Sequence, residues 1–434
     1  MTEKEFISSL KGEQSQKINI DQWIIIENEV IDDDVFLDGV TVPIKLRIDN
    51  CEFKGYFDTD GCTFNDLVEI SSCKFNGFFL GGTFNRKLTL NDLEEFRLRG
   101  GRYDEIEVQI TGNGKVWINR GEFSMLKIQG GQNLIEEFVI INFGRLIGNI
   151  KVDGIKSKKV SLIGSNLNYR YDYEQISTDY FKIRGFENSG LLIISKVKDL
   201  SNGKSYFEVV NSNLKEAHFG SIQFNSFSKV IFIDSQISKI SVQNSFWDKT
   251  CFYSLEGPAF TNNIKDENKR SFIEINQLKE TFRQLKTVYN NQNDKEISHF
   301  FYAKEMDQFY KTINWTLPCY EEFWQKLILY LSRKFTNYGS SFLKPLVLLF
   351  SVNCLIFIVL ILFFNYESLI SDFSNDSKSA SILATGEYFK LINPVHKLNT
   401  SLKGWGIFWD LLSRVSSSYF IYAMIRSTRR YIRI

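Results

Sequence analysis

The 434-residue chain is poor in proline (5), methionine (4) and histidine (3), and it carries only six cysteines. So little proline argues against a proline-rich linker or stalk. His218, His299 and His396 lie in three separate regions, and no HExxH, GxSxG or Walker phosphate loop occurs. The usual signatures of zinc hydrolases, serine hydrolases and P-loop enzymes are therefore missing, and neither an enzyme nor a cofactor is expected. Lys+Arg 52 against Asp+Glu 51 leaves a formal charge of +1, so an anionic ligand would have to meet a local basic patch. Six cysteines over this length do not form a disulfide scaffold. The opening MTEKEFISSLKGEQSQKINI is polar and lacks the basic-then-apolar order of a secretory leader, so the bulk of the protein is expected in the cytoplasm.

Phenylalanine, at 39, is abundant. In NCEFKGYFDTDGCTFNDLVEISSCKF, Cys51, Cys62 and Cys73 fall eleven apart, and each precedes a phenylalanine by two places. LRGGRYDEIEV (Leu98–Val108) and INRGEFSMLKI (Ile118–Ile128) share one apolar pattern twenty residues apart, as do VVNSNLKEAHF and FIDSQISKISV at twenty-three. Short alternating runs with polar turns at that period are the mark of a parallel β-solenoid, expected here with a right-handed coil. Cys51 and Cys73 then occupy one place in successive coils and Cys62 another wall, so they read as small buried hydrophobes rather than zinc ligands. The segment Asn166–Ser205 fits the period poorly and reads as an insertion or an irregular coil. The doublets Gly81–Gly82, Gly100–Gly101 and Gly130–Gly131 read as coil corners, and Asp32–Asp34 as a solvated acid run.

Beyond Glu267 the texture becomes helical. Ile275, Leu278, Phe282, Leu285 and Val288 form one stripe, Tyr302, Met306, Phe309 and Ile313 a second, and Phe323, Leu327 and Leu331 a third. These helices should pack together rather than enter lipid. Leu346–Phe364 is nineteen residues without a charge, long enough to cross a bilayer of roughly 30 Å. Gly404–Ile425 is a second candidate span, with a helical interfacial segment anchored by Trp405 and Trp409 as the alternative. Gly406, Asp410, Ser413 and Ser417 share nearly one face, and Arg414 stands one turn from Asp410. That face reads as pore-lining or oligomer-facing. Arg333, Lys334 and Lys344 before the first span and four arginines after the second favour a hairpin with both termini in the cytoplasm.

On the β part, Arg97 and Arg99 should face outward, with Trp117 and Asn119 one coil on and Arg102, Arg120 and Lys127 close by. An outward tryptophan beside stacked arginines suits base stacking and phosphate contact. A solvated strand surface accounts for the same residues equally well. IKSKKV (Ile155–Val160) is a second basic patch and reads better as a turn.

FRQLKTVYNNQNDKEISHFFYAKEM (Phe282–Met306), YGSSFLKPL (Tyr338–Leu346), NPVHK (Asn393–Lys397) and RSTRRYIR (Arg426–Arg433) together resemble bacterial pentapeptide-repeat-like membrane proteins with an ion-channel-like C-terminal region. The likeness covers roughly Ser271 to Ile434; before it, only the Cys-x-Phe ladder approximates pentapeptide repeats. A divergent β domain over such an end resembles the membrane effectors of Hailong anti-phage systems, by architecture rather than by a motif. That resemblance implies a homo-oligomeric, tetrameric ion channel in the bacterial inner membrane. A single-stranded DNA oligomer made by a partner nucleotidyltransferase would hold it closed, and loss of the oligomer would arrest growth. The expected organisation is a β-solenoid sensor (1–258), a helical coupling part (259–340) and a two-helix transmembrane part (341–434). The rival expectation is a membrane-anchored solenoid scaffold that binds a protein partner without conducting ions.

Overall fold

The computed structural model describes residues 1–11, 22–93, 96–142, 146–166, 169–200, 205–247, 267–318, 320–339, 341–364, 377–396 and 404–429. The chain forms two compact units, Met1–Arg270 and Ser271–Ile434. The first is a parallel β-solenoid of about ten turns. Each coil feeds both of two sheets, and the first three coils add the short strands Val35–Phe36, Thr41–Val42, Thr63–Phe64 and Thr83–Phe84. The first sheet runs from Trp23–Glu27 through Arg102–Ile110 to Ser241–Gln243, and the second from Val30–Ile31 through Lys115–Ile118 to Lys229–Ile233.

Period-two alternation puts every second side chain inside, and the register stacks like on like. In the first sheet Ile24, Leu46, Val68, Leu88, Ile106, Leu126, Ile150, Tyr171 and Leu192 form one unbroken column. Leu80, Leu98, Ile118, Ile140, Leu162, Ile183, Val209 and Phe232 form its counterpart in the second. All of them are buried, and each contributes about 1.5–3 kcal/mol of transfer free energy. Between the columns, phenylalanines continue the packing: Phe53 stacks on Phe75 at 4.8 Å, and Phe64, Phe84 and Tyr103 follow one another at 4.5 and 5.0 Å.

The corner after each first-sheet strand explains the polar punctuation. Asn28, Asn50, Ser72 and Asp92 all adopt φ between +49° and +57° there, and Gln175, Lys196, Ser221 and Asn244 repeat that conformation further along. Asparagine tolerates this left-handed region because its short amide bonds locally. Asn50 donates to Asn28 Oδ1 at 2.7 Å, so the corners also stack. At the opposite corner Gly82, at φ +79°, would bring a Cβ to 2.6 Å from Thr59 O, which fixes glycine there.

The three cysteines are scaffold. Cys51, Cys62 and Cys73 are buried, and none of the three is in a disulfide. The Lys74 amide donates to Cys51 O at 2.9 Å, which keeps Cys51 and Cys73 in equivalent places, and Cys62 sits at another corner with its thiol 2.8 Å from Thr59 O. Among the described residues no cluster of three metal-ligating side chains occurs.

The stretch Asn166–Ser205 is not an insertion where it is described: Arg170–Glu174, Ser177–Asn188 and Leu191–Ser195 are coil strands. Its irregularity is a register shift between Arg184 and Glu187, and the next coil pairs at a wider spacing, Tyr180 with Tyr206. Helix α1 (Glu3–Leu10) closes the N-terminal end through a Thr2–Glu5 capping box, and Phe6 meets Phe53 at 5.6 Å and Phe57 at 5.9 Å.

The second unit holds α2 (Glu267–Asn291), α3 (Lys295–Thr312), α4 (Glu321–Leu331), α5 (Leu343–Phe364), α6 (Ser377–Ile392) and α7 (Trp405–Arg429). Phe282, Leu285, Val288 and Tyr289 of α2 are buried, with Tyr289 stacked on Phe301 of α3 at 5.7 Å. The buried face of α3 is Ser298, Phe301, Glu305 and Gln308, not the expected Tyr302–Met306–Phe309 stripe. Lys286, 2.6 Å from Glu305, makes that polar face affordable to bury. In α4 the expected Phe323, Leu327 and Leu331 are only half-buried, and the buried residue is Lys326. Helix α5 alone is long and apolar enough to cross a membrane among the described residues, over Leu343–Phe363.

Candidate functional site

On the outer side of the second sheet, register places Asp58, Phe79, Arg97, Trp117 and Val139 in one column. Phe96 and Leu98 point inward, which turns Arg97 and Arg99 out. The Arg99 guanidinium lies 3.4 Å from the Phe79 ring centre. That of Arg97 sits between Phe79 at 5.6 Å and Trp117 at 5.9 Å. Tyr56 extends the strip, 5.8 Å from Phe79. Tyr56 and Trp117 stay exposed, while Phe79 is covered. Rings and guanidinium planes thus alternate along one wall, an arrangement that suits cation–π contact. Arg99 makes no ion pair among the described residues.

The seven expected ligand residues divide between walls. Arg97, Arg99 and Trp117 lie together, and Asn119 follows Trp117's strand into the corner, where its amide donates to Leu98 O at 3.0 Å. Arg120 is exposed at that same corner. Arg102 and Lys127 belong to the first sheet. Arg102 meets Glu122 at 3.3 Å and Lys127 meets Glu105 at 2.6 Å. The hydrogen bond and charge of Glu105 hold the Lys127 ammonium above its ordinary range, and Lys127 in turn holds Glu105 below its own. These two cations are neutralised by neighbours and do not border the aromatic strip. Lys156, Lys158 and Lys159 of the second basic patch lie in the strand Lys156–Asn166 rather than in a turn, and Lys159 pairs with Glu137.

Tyr56 and Phe79 were not expected. Phe79 pairs with Arg97 across a coil only eighteen residues long, two short of the period read from the sequence. The doublet Phe78–Phe79 in NGFFL was the available signal, since alternation sends one of two adjacent rings outward.

The second candidate lies inside the helical unit. Gly406, Asp410, Ser413 and Ser417 are buried on the face of α7 that meets α5 and the end of α6. Asn353 of α5, wholly buried, accepts from Ser413 Oγ at 2.7 Å and from Ser417 Oγ at 3.2 Å. Its own amide donates to Leu349 O at 2.8 Å. Asp410 sits between two side chains: Arg414 Nε at 2.8 Å from Oδ2 and His396 Nε2 at 2.7 Å from Oδ1. The other ring nitrogen of His396 lies 2.6 Å from Asn393 O. The Asn-Pro-Val-His stretch therefore forms a bend that returns His396 to α7. Opposite this face, Phe408, Leu411, Val415 and Tyr422 are exposed, as are Val347, Leu355, Ile358 and Leu362 of α5. The face expected to line a path is closed, within one chain, by Asn353, Leu391 and His396.

No protein-family model matches the chain, and no curated protein or solved structure matches it either.

Proposed function

We propose that the protein is a membrane-anchored, ligand-gated ion channel that assembles as a homotetramer, with the solenoid as its receptor. The observation that carries this reading is the polarity of α7: apolar side chains outward, and Asp410, Arg414, Ser413 and Ser417 turned in against α5. Pairing lowers the cost of ionisable groups in a second span, and the outward face is mainly apolar, with Ser418 of α7 and Ser351 of α5 as exposed polar residues. α5 and α7 then form a hairpin in the bacterial inner membrane, with both termini in the cytoplasm. The α5–α7 seam is polar and hydrogen-bonded, so its parting exposes a hydrophilic lining, and the present arrangement is the closed one.

The ligand is a single-stranded DNA oligomer lying on the Tyr56–Phe79–Arg97–Arg99–Trp117 strip, where bases stack on rings and guanidinium groups meet phosphates. Its loss opens the pore and arrests growth, the behaviour of an anti-phage effector. The test is planar-bilayer or liposome recording of the purified protein with and without short single-stranded DNA. Current that the oligomer suppresses supports the reading, and silence under both conditions refutes it.

A second reading, a membrane-anchored solenoid scaffold for a protein partner, draws on the completeness of the polar cluster. Each of Ser413, Ser417 and Asp410 already has partners within one chain. If that cluster is only structural, Asp410→Asn alters assembly and leaves ion flux and toxicity untouched.

A further inference from the structure

Helix α4 leaves large apolar side chains open on one side. Its one buried residue is a lysine, Lys326, whose ammonium donates to Ile313 O and lies 4.7 Å from the Tyr310 ring and 5.5 Å from that of Trp315. Phe323, Leu327 and Leu331 are half-buried, but a second apolar row is open: Trp324 is 54% exposed and Ile328 63%, and Leu317 and Tyr320 just before the helix are 65% and 58% exposed. Tyr320, Trp324 and Ile328 stand four apart, so they form one row along the helix. Glu321 and Gln325, bonded to each other at 2.9 Å, form the polar row beside it.

We infer that α4 lies in the plane of the membrane, with the Tyr320–Trp324–Ile328 row seated in the headgroup boundary of the bilayer. Three observations select lipid over a protein partner. Tryptophan and tyrosine dominate the exposed row and its surroundings, the residues whose amphipathic rings prefer that depth. The polar row sits beside the apolar one rather than around it, as in helices that float at an interface. The helix also lies close in sequence to α5: the helical turn Ser332–Thr336 follows α4, and α5 begins at Leu343, where Leu343 and Val347 are exposed. Exposed Arg333 and Lys334 in that turn face the phosphate layer. Arg333 is also held at 3.0 Å by Asp307, which ties the turn to α3. The buried Lys326, with half-buried Phe323, Leu327 and Leu331, fastens α4 from the protein side and leaves the Tyr320–Trp324–Ile328 row open. This inference rests on the membrane reading of α5 but does not depend on channel activity.

The full-length protein is reconstituted in phosphatidylcholine–phosphatidylglycerol vesicles whose acyl chains are brominated either near the glycerol or near the methyl end. Tryptophan quenching is compared between the native protein and Trp324→Phe, a substitution that preserves the packing. The expected result is a Trp324 component quenched about twofold more by the shallow bromines than by the deep ones. Ile328→Glu should reduce that shallow quenching of Trp324. A Trp324 component untouched by either lipid, in protein that stays with the vesicles through a carbonate wash, overturns the placement of α4 alone. Protein stripped by the wash overturns the membrane reading and this inference with it.

Discussion

His396 Nε2 lies 2.7 Å from Asp410 Oδ1, while its Nδ1 lies 2.6 Å from the carbonyl of Asn393. The imidazole thus bridges Asn393, in the bend before α7, to Asp410 within the helix, and Arg414 holds the other carboxyl oxygen. His396→Ala removes that bridge and leaves the buried Asp410 with Arg414 alone. The helical unit should lose about 1.5–3 kcal/mol, read as a lower melting temperature in detergent, and His396→Gln should lose less. Equal melting temperatures for all three proteins would show that the bond carries no weight.

Asn353 is the acceptor for two serines of α7. Asn353→Ala leaves both hydroxyls buried without that acceptor and weakens the α5–α7 seam. In liposome recordings the variant should leak more than the native protein in the presence of oligomer. Unaltered suppression would mean that the seam is not the gate.

Binding of fluorescent single-stranded DNA should separate the two walls of the solenoid. Arg99→Ala and Trp117→Ala should each cost about 1–3 kcal/mol, some five- to 150-fold in Kd. Lys127→Ala, on the first sheet and already paired with Glu105, should change Kd less than twofold by the same scale. Equal losses at Lys127 and Arg99 would move the ligand off the aromatic strip.

Burial pushes the Cys62 thiol up from 9.0 to about 12, and Cys73 rises well above its ordinary range through its bond with Cys51 and through burial. The folded solenoid should therefore resist iodoacetamide at about pH 8 at both positions, and urea should expose them. A thiol whose proton is held more tightly when folded stabilises the fold below the unfolded thiol's range. That contribution drains away as the pH climbs from 9 toward 12. Urea midpoints should fall across that window, and the fall should be shallower in Cys62→Ala. Rapid labelling of native Cys62 would contradict its burial.

Phe6 is the core of the N-terminal cap, wholly buried against Phe53 and Phe57. Phe6→Ala should cost about 3–5 kcal/mol, seen first as faster amide exchange in Trp23–Glu27. Protection unchanged in that strand would show that α1 does not seal the coil.

The solenoid was legible because its period is written in apolar alternation, and the cysteines followed from that period. Asn166–Ser205 was not legible as coil strands, because a register shift between Arg184 and Glu187 and the wide spacing from Tyr180 to Tyr206 break the period. Arg102 and Lys127 were grouped with Arg97 because spacing along the chain does not show where a corner carries it to another wall. The polar face of α7 could be read from four-residue spacing, but its closing partner Asn353 lies sixty residues before Ser413. For α4 the stripe Phe323, Leu327 and Leu331 is half-buried, while spacing alone did not show that Lys326 is the buried residue or that Trp324 and Ile328 stay exposed.

The left-handed corners have one more effect. Equivalent residues recur at twenty, twenty-two or twenty-three positions in different coils, yet the columns stay aligned. Each corner acts as a fresh starting line, so a residue gained or lost between two corners is absorbed within one lap and never passed to the next. Individual laps can therefore change length over time while the neighbouring walls keep their alignment.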